Sequence, residues 1–143
     1  MKRLDLETLD PENAAAVRRH VAAETAFDME GTLATLTENC VFEDVPTGEV
    51  YHGREGARAY YREWWDAFAN VPSASRLYVP AADRLIVETR FIGTHRGRFR
   101  GAAPTGRPID LPIAIFIGFR GGLLTGERFY YDRATLLAQI GAA

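Results

Sequence analysis

Apolar side chains recur at helical spacing near the N-terminus and predict a first helix there. Asp10-Pro11 suits its start, because aspartate caps the first turn of a helix and proline fits its first position. The pattern also places His20 and Glu24 on or beside the apolar stripe of this helix. That stripe consists of Val17, Val21 and Phe27.

Three further helices are predicted along the chain. Asp28 is expected to cap a short second helix that ends near Thr37, and a longer third helix spans residues 54–70. The apolar face of this third helix carries Ala57, Tyr61, Trp64 and Phe68. A last short helix is predicted over residues 134–140, with Asp132 before it as the N-cap rather than as a catalytic group.

The other segments predict β-strands and hence an α+β fold. The predicted strands cover residues 40–45, 75–79, 84–99, 109–119 and 123–131. Gly121-Gly122 suits a tight hairpin between the last two strands. Helices first and strands last predict one domain over residues 1–143, with the helices packed on one face of an antiparallel sheet.

Residues 111–119 are apolar at nearly every position, which predicts that both faces of this strand are covered. We expect helices on one face and a second subunit on the other, so the chain is predicted to form a homodimer. The alternative is a monomer whose sheet is covered in another way.

Composition and charge exclude several classes of protein. Apolar residues make up 47% of the chain and charged residues 25%, which is typical of a soluble globular domain. A net charge of -2 gives no reason to expect nucleic acid or a membrane surface as a partner. Cys40 is alone, so there is no disulfide framework and no cysteine-based metal site. No signal peptide or membrane span is recognisable, and a cytoplasmic location is therefore predicted.

Three motifs stand out: GTHRGRFRG and PTGR within residues 93–107, HGREG at 52–56 and DRATLLAQIG at 132–141. Together they resemble motifs of the SnoaL-like polyketide (ester) cyclases, in the nuclear-transport-factor-2-like superfamily, over about residues 13–141. The resemblance implies a cone-shaped, curved antiparallel or mixed sheet packed against three helices around an internal pocket. That superfamily contains both enzymes and non-catalytic binding proteins, so the pocket residues must decide the function.

Asp44 is the first candidate for chemistry. It ends a predicted strand before the turn at Pro46, with Phe42 on the same face. In ketosteroid isomerases a similar segment supplies the general base, so the resemblance implies this role for Asp44. The alternative is an aspartate that caps the turn near Thr47. An isomerase of that type is disfavoured, because His20 stands where its first-helix tyrosine is expected.

His95 and Glu127 are the candidate partners of Asp44 in acid/base catalysis. An imidazole exchanges protons near neutral pH, although His95 is equally compatible with a structural role at a strand end. Glu127 shares one strand face with Phe129 and Tyr131. Burial there would raise the pKa of Glu127 unless a cation pairs with it, which predicts either a tuned acid or a structural ion pair.

The resemblance implies a catalytic aspartate at the position of Phe129, so that carboxylate is missing and only Glu127 or Asp44 could replace it. An aromatic pocket predicts a flat, apolar ligand, such as a polyketide- or terpenoid-like compound. The candidate substrate-binding residues are His20, Phe42, Tyr61, Trp64, Phe91, Phe116, Phe129 and Tyr131. No metal is expected, because the histidines and carboxylates lack the spacing of a metal motif.

The leading hypothesis is a cofactor-free enzyme of the cyclase or isomerase type that acts on an apolar carbonyl compound. Asp44 would be the base, and His95 or Glu127 the partner acid. One alternative, which Phe129 favours, is a non-catalytic protein that binds small molecules on the same fold. Another is a protein-interaction module that uses the exposed face of the sheet.

Overall fold

The computed structural model describes residues 6–71, 76–81 and 83–142. This part of the chain forms a short 3₁₀ turn, four α-helices and one seven-stranded sheet. The turn is Leu6–Thr8, and the helices are α1 (Pro11–Thr25), α2 (Met29–Ala34), α3 (Gly53–Ala67) and α4 (Arg133–Ile140). The strands are β1 (Leu36–Asp44), β2 (Glu49–His52), β3 (Phe68–Val71), β4 (Leu77–Ala81), β5 (Arg84–His95), β6 (Pro108–Arg120) and β7 (Leu123–Tyr130).

The strands make a curled mixed sheet in the order β2-β1-β7-β6-β5-β3, and β4 also pairs with β5. The pair β1 and β7 is parallel, whereas the other pairs are antiparallel. Helix α1 packs against β7 and helix α3 against β1. The apolar core therefore lies between these helices and the concave face of the sheet. The predicted α+β fold with a curved antiparallel or mixed sheet is confirmed.

Aspartate caps begin three of the helices, as predicted. The side chains of Asp10, Asp28 and Asp132 accept hydrogen bonds from backbone N–H groups in the first turns of α1, α2 and α4. Helix α4 ends at Gly141, which has the left-handed conformation (φ 74°) common at helix ends. None of the described helices is both long and apolar enough to cross a membrane.

The boundary between α2 and β1 differs from the prediction. Helix α2 ends at Ala34 and β1 begins at Leu36, rather than near residue 37 and at residue 40. Leu36 pairs with Leu124 of β7, and its carbonyl accepts hydrogen bonds of 3.1 and 2.6 Å from the Arg54 guanidinium. These partners lie far away in the sequence, so the polar pattern of residues 37–39 did not indicate a strand.

Two short strands were not predicted. Strand β2 pairs with β1, and β3 takes up the segment assigned to the end of α3. Helix α3 ends at Ala67 because Phe68 is extended (φ -124°, ψ 123°) and pairs with His95. Strand β5 accordingly ends at His95 instead of residue 99. The strand predicted from Ser75 begins at Leu77, and Ser75 itself lies outside the described residues.

Glycines set the turn and the course of β7. Gly121 and Gly122 have φ values of 57° and 73°, as the predicted tight turn requires. Gly126 has a φ of 142°, and a Cβ at this position would collide with the carbonyl oxygen of Val41. The missing side chain therefore lets β1 lie directly against β7, one residue before Glu127.

Candidate functional site

A cavity of about 150 Å³ lies between the concave face of the sheet and helices α1 and α3. The predicted internal pocket is therefore present. Aromatic side chains dominate its lining: Phe27, Tyr60, Tyr61, Trp64, Trp65, Tyr78, Phe91, Phe129 and Tyr131. The charged or titratable side chains of His20, Glu24, Arg76, Arg90 and Glu127 line the same cavity. A mostly apolar concave site with a few convergent polar groups is typical of small-molecule binding.

A hydrogen bond with Thr35 holds the His20 ring in one orientation. Its Nδ1 atom lies 2.7 Å from the hydroxyl of Thr35, and that hydroxyl donates a hydrogen bond of 2.6 Å to the carbonyl of Thr32. Because the Thr35 proton is used in this way, the hydroxyl accepts from Nδ1–H of His20. The proton on Nδ1 is thereby fixed, and Nε2 is the nitrogen that faces the carboxylates.

Three polar groups surround Nε2 of His20. Carboxylate oxygens of Glu24 and Glu127 each lie 3.0 Å from it, and the Tyr61 hydroxyl lies 3.1 Å away. Glu24 is one helical turn after His20 in α1, whereas Glu127 comes from β7 and Tyr61 from α3. Three elements of the fold thus converge on one imidazole nitrogen.

The pKa values of His20, Glu24 and Glu127 depend on one another. Burial alone would lower the pKa of His20, but the charges and hydrogen bonds of Glu24 and Glu127 outweigh it and raise this pKa from 6.5 to about 10. Burial raises the pKa of Glu127, and His20 offsets only part of that effect. Burial also acts to raise the pKa of Glu24, but the charge of His20 prevails and lowers it. At neutral pH the imidazolium of His20 therefore pairs with ionised Glu24, and Glu127 is the carboxyl group that most readily carries a proton.

One carboxyl oxygen of Glu127 is buried and unpartnered within the described part of the chain. Its side chain is 3% exposed, and Oε1 faces His20 while Oε2 has no hydrogen-bond partner within the described part of the chain. The indole nitrogen of Trp64 is likewise buried without such a partner. Buried polar groups are normally satisfied, so an unpaired carboxyl oxygen in a residue of the cavity wall makes Glu127 a candidate for contact with a polar group of a ligand.

Asp44 lies outside the cavity lining, behind two tyrosines that belong to it. The hydroxyls of Tyr60 and Tyr131 donate hydrogen bonds of 2.9 Å to its completely buried carboxylate. Arg100 adds an ion pair of 2.7 Å and Thr47 a hydrogen bond of 2.9 Å. Burial opposes ionisation, but Arg100 outweighs it and holds the pKa of Asp44 below its ordinary value.

His95 is also placed away from the cavity. It is completely buried at the end of β5, and its Nδ1 atom lies 3.0 Å from the hydroxyl of Thr105. Its ring packs against Phe68 with a centroid distance of 5.4 Å. Of the three predicted catalytic residues, the structure therefore places only Glu127 in the cavity wall, and it does not bring Asp44 or His95 to it.

Most of the predicted substrate-binding side chains line the cavity. These are His20, Tyr61, Trp64, Phe91, Phe129 and Tyr131. Phe42 lies one layer deeper, buried against Tyr60, Tyr61 and Phe129. Phe116 points to the opposite face of the sheet, where its ring packs against Tyr130. The alternation of β7 was predicted correctly, since Glu127, Phe129 and Tyr131 all face the cavity.

Sequence reasoning placed Glu24 beside the apolar stripe of α1 but did not count it among the site residues. The signal was present, because a glutamate four residues after His20 lies on the same side of a helix. Trp65 and Phe27 were not counted either, although both line the cavity. Periodicity assigns Phe27 to the apolar stripe of α1, but α1 ends at Thr25, and the connection to α2 brings the ring to the cavity.

Comparison with known proteins identifies the family. The profile of the SnoaL-like polyketide cyclases matches residues 14–140, nearly the whole chain. The chain belongs to the SnoaL-like polyketide cyclase family. A comparison with curated proteins gave no significant match. The family resemblance predicted from the three sequence motifs is thereby confirmed.

Solved structures show that the SnoaL-like fold extends over almost all of the chain. A candidate SnoaL-like polyketide cyclase from a Jannaschia species has 19% identity and a TM-score of 0.83, with 98% of this chain and 99% of that one covered. A candidate polyketide cyclase from Xanthomonas campestris has 20% identity and a TM-score of 0.80, with coverages of 90% and 96%. A protein from Catenulispora acidiphila with a ketosteroid isomerase-like fold, in complex with trimethylamine, has 22% identity and a TM-score of 0.71, with coverages of 90% and 93%.

The position where a SnoaL-like cyclase is expected to carry its catalytic aspartate is occupied by Phe129. Its ring lines the cavity and packs against Tyr60, with a centroid distance of 4.8 Å. Glu127 stands two residues earlier on the same strand face. The cavity wall of this SnoaL-like protein therefore carries a carboxyl group on β7, two residues before Phe129.

Proposed function

We propose that this protein is a cofactor-free acid/base enzyme of the cyclase or isomerase type, with a flat, apolar carbonyl compound as its substrate. One observation carries the proposal: the Glu127 carboxyl group lies 3.0 Å from His20 Nε2 through one oxygen, and its other oxygen is unpartnered within the described residues. The family described as polyketide cyclases supports the same kind of substrate.

Glu127 is the proposed proton-transfer group. Its raised pKa brings the carboxyl group closer to neutral pH, where a general acid or base works best. As an acid, it donates a proton to a substrate oxygen; as a base, it removes a proton from the carbon next to a carbonyl. In either case the carboxylate that forms or reacts is stabilised by the adjacent imidazolium of His20, whose own charge is held by Glu24.

The cavity wall indicates the class of substrate. Tyr60, Trp64 and Phe129 present aromatic surfaces, and rings of this kind bind flat apolar molecules by offset or edge-to-face contacts. A polyketide- or terpenoid-like carbonyl compound combines such a surface with the single polar group that Glu127 requires. In this proposal Asp44 acts indirectly, because its carboxylate holds the hydroxyls of Tyr60 and Tyr131.

Glu127→Gln tests the catalytic part of the proposal. Two- and three-ring aryl ketones would be incubated in heavy water, and exchange of the hydrogens next to the carbonyl would be followed by NMR. The substitution is expected to lower the exchange rate by about a hundredfold or more, because it keeps the shape but removes the transferable proton. Glu49→Gln, in an exposed glutamate of β2, is the matched control and should exchange at the wild-type rate.

Two results would contradict this proposal. An unchanged exchange rate in Glu127→Gln would exclude Glu127 as the proton-transfer group. A wild-type protein that the ketones stabilise against heat, but that exchanges none of them, would instead be the non-catalytic binding protein that the sequence left open.

We also propose that the outer face of the sheet joins two copies of the chain. Val41 and Tyr130 are exposed large apolar side chains on the neighbouring strands β1 and β7, and Phe116 lies beside Tyr130. Exposed apolar patches on a sheet are typical of subunit contacts. Analytical ultracentrifugation of the wild type and of Tyr130→Lys tests this, since a monomeric wild type would exclude the homodimer. The cytoplasmic location stays a prediction.

A further inference from the structure

Phe27 adopts a backbone conformation that normally suits glycine. Its φ is 54°, and among the described residues only Arg100 shares this feature outside glycine. The backbone N–H of Phe27 donates to the carbonyl of Glu24 at 3.0 Å, and that of Asp28 donates to the carbonyl of Ala23 at 2.9 Å. This hydrogen-bond pair is the Schellman ending of a helix, in which glycine is the usual residue at the position of Phe27.

The Phe27 ring is placed at the outside of the cavity. It is 45% exposed, which is unusual for so large an apolar side chain, and it lines the cavity. It packs edge to face with the Trp65 ring, with a centroid distance of 5.3 Å and an interplanar angle of 76°. Of the exposed large apolar side chains in the described residues, Phe27 alone belongs to the cavity wall.

Neither observation is explained by folding stability. A side chain at positive φ carries a conformational penalty that glycine avoids, and a half-exposed ring recovers little of it by burial. Folding stability alone would therefore favour glycine at this position. The turn is also firmly held, because Asp28, the next residue, caps α2 through a 2.9 Å hydrogen bond from Gly31. The ring is consequently presented at the cavity from a fixed backbone.

We infer that Phe27, together with Trp65, forms the outer wall of the cavity and limits the length of the flat ligand that it admits. Phe27 is then a specificity-determining residue, and its ring contacts the end of the ligand that lies at the exposed side of the cavity. The inference rests on the proposed function only in taking the cavity as the binding site; it does not require turnover.

The test compares two rigid probes of different length, naphthol with two fused rings and anthrol with three. Their dissociation constants would be measured by isothermal titration calorimetry for the wild type and for Phe27→Gly. The variant is expected to bind anthrol better relative to naphthol by about fivefold or more, as expected when a wall that excludes part of a ligand is removed. Its melting temperature should be equal to that of the wild type or higher, because glycine relieves the positive φ.

Two further variants serve as controls. Phe27→Asn accepts the left-handed conformation without restoring the ring, so it should repeat the change in probe preference even if glycine loosens the turn. Val50→Ala removes another exposed apolar side chain, which does not belong to the cavity wall, and should leave both constants unchanged.

The outcomes separate this inference from the proposed function. An unchanged ratio of the two constants in both Phe27 variants would overturn the inference, and Phe27 would then only pack against Trp65. If the wild type binds neither probe, the cavity is not the binding site. This result would contradict both the role of Phe27 and the proposed acid/base enzyme. A changed ratio in a protein that shows no hydrogen exchange would support the role of Phe27 and contradict only the catalytic proposal.

Discussion

The imidazole of His20 and the carboxyl group of Glu127 form a buried pair, with 3.0 Å between Nε2 and Oε1. Removing such a pair from water is unfavourable unless further hydrogen bonds hold both members. Thr35 supplies one at Nδ1, and Glu24 and Tyr61 approach Nε2. The fold therefore maintains a charged group inside an aromatic cavity, where a change in protonation has large energetic consequences.

This pair should make the stability of the protein depend on pH. The pKa of His20 is about 10 in the folded protein against 6.5 ordinarily, so the folded state holds an additional proton between these values. The stabilisation is complete below pH 6.5 and is lost as the pH rises towards 10, with the slope that one additional bound proton gives. The raised pKa of Glu127 acts in the same direction.

Urea unfolding at a series of pH values measures this effect. The free energy of unfolding of the wild type should fall across the alkaline range, and His20→Gln should flatten that slope. Glu12→Gln, a change in an exposed residue of α1, should keep the wild-type slope. Parallel curves for the wild type and His20→Gln would show that His20 does not gain a proton on folding.

Thr35 is predicted to position the imidazole of His20. In Thr35→Val the buried Nδ1–H of His20 loses its acceptor, which costs about 1–3 kcal/mol for an unsatisfied group. We expect the turnover number for ketone exchange to fall about tenfold with little change in KM, because the ring is misaligned while the aromatic wall is intact. Thr35→Ser retains the hydroxyl and should restore the rate. Equal rates in Thr35→Val and the wild type would exclude this positioning role.

Much of the fold could be predicted because its signals are local. Asp10, Asp28 and Asp132 each cap the helix that begins directly after them, and the two glycines at 121–122 indicate a hairpin turn. The beginning of β1 could not be predicted in this way. Its pairing with β7 depends on a residue nearly ninety positions away, and no local pattern records such a partner.

The site could be predicted only in part, because local patterns assign side chains to a strand face but do not show partners that are distant in the sequence. Strand alternation was enough to place Glu127 and Phe129 on the cavity face. Asp44 was expected to face the pocket, but its environment depends on Arg100, which is 56 residues later and reaches back to form a 2.7 Å ion pair. Charged partners at such a separation are brought together by the tertiary fold, so a sequence pattern alone cannot show whether a carboxylate is free or paired.

Asp44→Asn distinguishes the two roles that have been considered for this residue. The structure predicts destabilisation by about 1–3 kcal/mol, because the substitution removes the charge that accepts hydrogen bonds from Tyr60, Tyr131 and Arg100, although Arg100 keeps its ion pair with Glu63. Turnover should be reduced only moderately, since Glu127 and His20 are unchanged. Urea unfolding and the ketone exchange assay measure the two quantities. Glu43→Gln, which removes the partner of the exposed Arg128, is the control and should have a small effect on both.

A protein that keeps its stability in Asp44→Asn but loses turnover would contradict the positioning role. Asp44 would then be the general base that the resemblance to ketosteroid isomerases implies. Tyr131→Phe provides a second measurement, because it removes the hydroxyl that donates to Asp44 and accepts from Arg100 but leaves the charge of Asp44. In the positioning role this variant should lose about 1 kcal/mol of stability and retain most of its activity.

The last prediction concerns metal ions. One nitrogen of His20 and one oxygen each of Glu24 and Glu127 lie within 4.8 Å of one another, a spacing that suits a small cation as well as a proton. In the proposed mechanism the proton occupies this position, so prolonged dialysis against EDTA should leave the exchange rate and the melting temperature unchanged. Added Zn²⁺ should inhibit, because it competes with the proton for Nε2. A rate that EDTA abolishes and a divalent ion restores would contradict the acid/base mechanism and assign these three side chains to a metal.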